Sequence, residues 1–151
     1  MKKPFIALIA IFACTLSYAQ IDQNSPGYSI ESIGKVSTRY KYIELSKQKI
    51  NGEYVYNLKY HNLEFPEMRD MTNVRFRATD RELDDLYNKI LIGSKLKKSD
   101  PITYINLDRG RLGISRLTSG QVKLLYNSKG SSEIKWTWLT KGQLRKVFGK
   151  N

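Results

Sequence analysis

An α+β fold is predicted here: a largely antiparallel sheet of about seven strands with two helices, one mid-chain and one C-terminal. Three observations predict it. Apolar and polar residues alternate over short runs, which is the period of a half-buried strand. Gly-containing turns separate most of these runs at short intervals. Finally, a strand-like run passes twice into Thr-x-x-Glu/Gln and an apolar helical stripe, first at Thr79–Glu82 and again at Thr140–Gln143. In that capping box the Thr oxygen accepts from the backbone N–H of the third helical residue, while the Glu or Gln side chain reaches back to the cap.

The chain opens with Met1-Lys2-Lys3, an apolar run from Phe5 to Cys14, and Ser17-Tyr18-Ala19-Gln20. A basic start, a short apolar core and a small-x-small site describe a secretory signal peptide, with cleavage expected after Ala19. The apolar run is too short to span a bilayer, so the mature chain is expected to carry no transmembrane segment. Ile11-Phe12-Ala13-Cys14 offers a second reading, a lipobox with Cys14 lipidated, although Phe12 stands where a small residue is usual. Cys14 is the only cysteine. A chain processed after Ala19 therefore has no disulfide and must fold on its apolar core.

Residues 20–34, with Asn24-Ser25-Pro26-Gly27, read as a loose N-terminal arm ahead of one domain over 35–151. Tyr40–Leu45 is strand-like, but its apolar phase slips between Tyr42 and Ile43, which predicts a bulge or burial on both faces. Asn51-Gly52 predicts a tight hairpin. The returning strand places Tyr54, Tyr56, Leu58 and Tyr60 on one face, with Leu63 and Phe65 as an extension that Pro66 stops. After a strand containing Val74, Phe76 and Ala78, a helix is expected from about Asp80 to Ile92, with Leu83, Leu86, Tyr87, Ile90 and Leu91 on one side and Gly93 just past its end. Ser94–Pro101 forms a basic connector. A meander follows, with strands at Ile102–Leu107, Arg111–Leu117, Gln121–Asn127 and Glu133–Leu139, then a short helix over Lys141–Phe148. The two cap-to-helix stretches align without a gap, whereas the strands before them fall one residue out of register, with Leu139 as the extra residue. The pair reads either as an internal duplication, strands then helix twice over, or as two junctions that share the positions any capped amphipathic helix uses.

The formal charge is +12, and +10 once Lys2 and Lys3 are removed with the leader. Such a balance points to anionic partners or to a well-solvated basic surface. The candidate anion-binding residues fall in three groups: Lys95, Lys97 and Lys98 in the connector; Arg109, Arg111 and Arg116 on one hairpin; Lys141, Arg145 and Lys146 on the last helix. Tyr54, Tyr56 and Tyr60 form one aromatic stripe, and Trp136 with Trp138 forms another. Alternating aromatics on a strand are expected to be its core face; if exposed, they would make a sugar- or base-stacking platform.

Catalytic patterns are sparse. There is one histidine, His61, on the more polar face of its strand, where a surface or edge position is expected. No Gly-x-Ser-x-Gly, His-Glu-x-x-His or phosphate-cradling Gly-rich loop occurs, so neither a catalytic residue nor a metal or cofactor site is assigned. Carboxylates from Glu64 to Asp85 could pair for acid–base chemistry, but Asp80 and Glu82 are also where the helix dipole favours acids.

Leu139-Thr140-Lys141-Gly142-Gln143-Leu144-Arg145-Lys146-Val147-Phe148-Gly149 resembles the ending of small exported Bacteroidota proteins of unknown function, and Ser17-Tyr18-Ala19-Gln20 resembles their cleavage sites. The resemblance implies export to the periplasm or beyond and carries no activity. The leading functional expectation is therefore a non-catalytic binding or envelope-interaction protein, with a protein or an anionic envelope component as partner. The alternatives are a small exported enzyme using the Glu64–Asp85 carboxylates and a basic module for nucleic acid, anionic glycan or lipid headgroups.

Overall fold

The computed structural model describes residues 29–118 and 120–150; the expected signal peptide and most of the expected arm lie outside them. Eight strands form two separate sheets, each a four-stranded antiparallel meander followed by a helix. The first unit comprises β1 (Ile30–Ser37), β2 (Tyr42–Ile50), β3 (Glu53–His61), β4 (Met71–Arg77) and α1 (Asp80–Gly93). The second comprises β5 (Thr103–Leu107), β6 (Gly110–Arg116), β7 (Gln121–Ser128), β8 (Ile134–Thr140) and α2 (Lys141–Val147). The expected single seven-stranded sheet is thus corrected in two respects. A strand at Ile30–Ser37 occupies the end of the expected arm; its alternation is broken by a register shift between Ser32 and Gly34 and only Val36 is fully buried, so the pattern was faint. The meanders also stay separate, with α1 and the basic connector between β4 and β5.

Both helices begin with the expected reciprocal cap. Thr79 accepts from the Glu82 N–H and Glu82 from the Thr79 N–H; Thr140 and Gln143 do the same. Each helix then packs across onto the other unit: α1 against β6 and β7, α2 against β1 and β2 as well as its own β8. One core results. Ile43, Leu45, Tyr56, Leu58 and Tyr60 of the first sheet join Leu112, Ile114, Val122, Leu124 and Leu139 of the second, with Leu83, Leu86, Ile90, Leu144, Val147 and Phe148 from the helices.

Several local expectations change. The Tyr42/Ile43 slip is not a bulge in β2. Ile43 and Leu45 point inward, and Tyr42 stays on the outer face, where its hydroxyl donates to Glu44. Asn51 and Gly52 both have positive φ, 51° and 86°, as the hairpin required. The third strand ends at His61 rather than running to Phe65, which is exposed. The Leu63 N–H instead donates to the Trp136 carbonyl at 2.9 Å, tying the first unit to the edge of β8. Gly93 is the last helical residue, not the residue beyond it. A Cβ there would lie 2.3 Å from Ile114 Cγ2, so close packing on the second sheet, not left-handed backbone, calls for glycine.

Candidate functional site

Which face of each last strand points inward decides what this molecule shows to solvent. In β4 the buried residues are Thr72, Val74 and Phe76; in β8 they are Thr137 and Leu139. Counted back from the caps, these phases are identical: Ala78 precedes Thr79 as Leu139 precedes Thr140, and both pack on the core. The extra residue expected at Leu139 therefore disappears, and the strands match without a gap. Arg77 corresponds to Trp138, Arg75 to Trp136 and Asn73 to Ile134, and all six side chains are on outer faces. The tyrosine stripe was correctly expected inside, since Tyr56 and Tyr60 are fully buried. The tryptophan stripe was not: both indoles are half-buried on the outer face of the second sheet.

Neither helix lies against that face. A row crosses it from Tyr104 through Gly113 and Leu125 to Trp136, each opposite the next in adjacent strands. The Tyr104 ring leans over Gly113, where a Cβ would meet it at 3.0 Å. Lys123 pairs across from Trp138 and holds its Nζ 4.2 Å from the centre of the Trp136 ring. The Arg111 guanidinium sits 4.7 Å from the Tyr104 ring, and Lys41 Nζ only 3.5 Å from that of Trp138. Such cation–π contacts contribute roughly 0.5–2 kcal/mol each, depending on exposure. Exposed Ile102 and Ile134 flank the row. The result is an open sheet face on which aromatic rings and cations alternate.

The nine basic residues singled out in the sequence do not share one arrangement. Arg111 belongs to the aromatic face. Arg116 is spent on structure: Nη1 donates to the Leu96 carbonyl at 2.9 Å and Nε to that of Thr118 at 3.2 Å. That contact holds the connector bearing exposed Lys95, Lys97 and Lys98 against the end of β6. Lys141, Arg145 and Lys146 are exposed on α2. Arg109 projects from the β5–β6 turn into clefts beside β4 that are also lined by Arg75, a residue in none of the three basic groups. Matching β4 to β8 in the correct phase would have singled out Arg75, since its counterpart is Trp136.

Five of the seven carboxylates from Glu64 to Asp85 are engaged one by one with different partners; Glu67 and Asp85 have none among the described residues. Glu64 accepts from Trp136 Nε1 at 2.5 Å, Asp70 from Lys135 at 3.0 Å and Asn62 at 3.1 Å, Asp80 from the Tyr56 hydroxyl at 2.7 Å, and Asp84 from Lys150 at 2.5 Å. The Lys135 ammonium, followed by the Asn62 amide, holds Asp70 below its usual pKa, and hydrogen bonds from the Thr79 amide and hydroxyl do the same for Glu82. A cleft of about 520 Å³ does gather Glu53, Asp80 and Glu82. There, however, Glu53 is paired with Arg77 at 3.3 Å, and the other two hold Tyr56 and the cap. Among the described residues no group of three or more His, Cys, Asp or Glu is placed to hold a metal ion. His61 is buried rather than at the surface, with Nδ1 3.2 Å from the Tyr40 carbonyl and Nε2 without a protein partner among the described residues.

Compared with protein-family models and with curated proteins, the chain matches none. No described helix is long and apolar enough to cross a membrane.

Proposed function

We propose that this chain is an exported, non-catalytic binding protein, and that it holds an acidic polymer, an anionic glycan of the envelope, along the outer face of its second sheet. The observation that carries this reading is the outward phase of β8, which presents Trp136 and Trp138, with Lys123 over the Trp136 ring, on a face no helix covers. Sugar rings present C–H faces that suit stacking on indole and phenol, and Arg111 beside Tyr104 and Lys123 beside Trp136 suit carboxylate or sulfate substituents. A sheet face is also long enough to follow a chain: strands of this length span about 20 Å. The leader and the end segments that resemble exported Bacteroidota proteins support the compartment. The separate engagement of Glu64, Asp70, Asp80, Glu82 and Asp84, each by a different partner, supports binding over catalysis.

The test is binding of the mature chain to heparin and to uncharged dextran, followed by tryptophan fluorescence. Heparin is expected to bind, dextran not, and the affinity to fall as salt rises, because the exposed cations are screened beyond about 10 Å at 0.1 M. Tyr104→Ala combined with Arg111→Ala, both at exposed positions, is expected to weaken heparin binding about tenfold without lowering the unfolding midpoint. Undiminished binding by that double variant would remove this face from the proposal.

A further inference from the structure

We infer that the first sheet carries a separate site on its own outer face, for the acidic group of a small hydroxylated molecule, a sugar carboxylate or sugar phosphate. The two last strands are equivalent in phase, yet where the second unit shows tryptophan the first shows arginine, so the two faces select different chemistry. Here the surface is concave. A cleft of about 360 Å³ has Gln48 of β2, Asn57 of β3 and Asn73 and Arg75 of β4 along its floor, with Arg109 of the β5–β6 turn overhanging the edge strand. Its volume is at the small end of the roughly 300–1,000 Å³ range of ligand pockets, suited to a compact molecule and not to a polymer.

The charge balance of the lining is one-sided. Lys47, Arg75 and Arg109 line it and no carboxylate does. Lys47 is already paired with Glu31 at 3.3 Å, but neither arginine makes an ion pair among the described residues. The adjoining cleft of about 270 Å³ shares both arginines and contains Asp108, whose Oδ2 instead accepts from the Arg77 N–H at 3.3 Å. Two guanidiniums can take an oxyanion through paired N–H donors. The amides beside them suit hydroxyls: Asn57 and Asn73 are joined only by a long contact of 3.4 Å.

The overhanging residue is fixed before any ligand arrives. The Arg109 carbonyl accepts from the Tyr126 hydroxyl at 3.0 Å and from the Lys129 N–H at 2.9 Å, and Gly110 follows where a Cβ would fall 2.3 Å from the Asn127 carbonyl oxygen. Binding then orders two side chains and no loop, which lowers its entropic cost.

Calorimetric titration of the full mature chain with glucuronate, glucose 6-phosphate, inorganic phosphate and glucose tests the site. At least one of the two acidic sugars is expected to bind about tenfold or more tightly than glucose and than phosphate alone, and which one binds names the acidic group. Arg75→Gln and Arg109→Gln, whose positions are exposed, are each expected to weaken that binding about tenfold or more at an unchanged unfolding midpoint. Tyr104→Ala with Arg111→Ala should leave it intact, which separates this site from the aromatic face. The inference is overturned if neither acidic sugar outperforms glucose at millimolar concentration, or if both arginine variants bind like the parent chain.

Discussion

Lys41 is only 6% exposed and has no carboxylate partner among the described residues. Its ammonium is held by a ring and two neutral oxygens: it lies over Trp138 and donates to the Trp138 carbonyl at 3.1 Å and to Gln143 Oε1 at 2.6 Å. It thereby joins the turn before β2 to the cap of α2. Burial lowers its pKa from 10.5 to about 8. Between those two values the unfolded chain binds more protons than the folded one, so the Lys41 contribution to stability rises with pH through that window. Burial also raises Tyr56 and Tyr60, which favours their neutral forms in the fold and opposes Lys41 above about pH 10. Subtracting a Lys41→Met variant removes the tyrosine effect. The variant is expected to be less stable by about 1–3 kcal/mol at neutral pH, from the lost hydrogen bonds and ring contact. In urea unfolding the parent's advantage should widen from pH 7 to pH 10. A constant difference would show that ring and oxygens replace water fully. Nothing in the sequence marked this lysine, because its burial depends on residues about a hundred positions away.

At the scale of elements, what was legible is what is local. Both capping boxes, the Asn51-Gly52 hairpin and the helix stripes follow from residues within one turn of each other, and all are in place. The phase of β8 was not legible from alternation alone, which defines two faces without saying which is inside. Trp136 and Trp138 looked like the better core face. The helix that follows decides otherwise: Leu144, Val147 and Phe148 must reach the core, and from the cap backward this puts Leu139 and Thr137 inward. Arg75 and Arg109, far apart in sequence, likewise became a pair only through the fold. Docking of α2 has its own requirement. The helix is seven residues long, too short to persist without packing. Gly34 lets it approach β1: a Cβ there would lie 2.0 Å from the Lys146 carbonyl oxygen, a backbone atom that cannot swing aside. Gly34→Ala is expected to cost about 1–3 kcal/mol, as overpacking does. Amide exchange should accelerate in α2 more than in α1; equal protection of α2 in the variant would mean that the strand yields instead.

The whole molecule is built by exchange between its halves. Each unit ends in a helix whose apolar stripe is completed by the other unit, α1 on β6 and β7 and α2 on β1 and β2. The turns cross over too. Lys41, in the turn before β2, reaches the β8–α2 junction, and Asp108, in the turn before β6, accepts from the Arg77 N–H at the β4–α1 junction. The Tyr60 hydroxyl donates to the Lys135 carbonyl across the same boundary. This reciprocity leaves both outer faces open, because the helices that would otherwise cover sheets are consumed in the shared interior. It also means that neither half has a core of its own. A four-stranded meander whose helix lacks its docking surface would expose Leu83, Leu86 and Ile90, or Leu144 and Val147, to water, each costing roughly 1.5–3 kcal/mol. Fragments 29–93 and 94–150 are therefore expected to show no cooperative thermal transition separately, and to regain one with the parent circular-dichroism spectrum when mixed. A sharp transition from either fragment alone would show that one sheet and its helix suffice, and that the crossing contacts align the two faces without creating the fold.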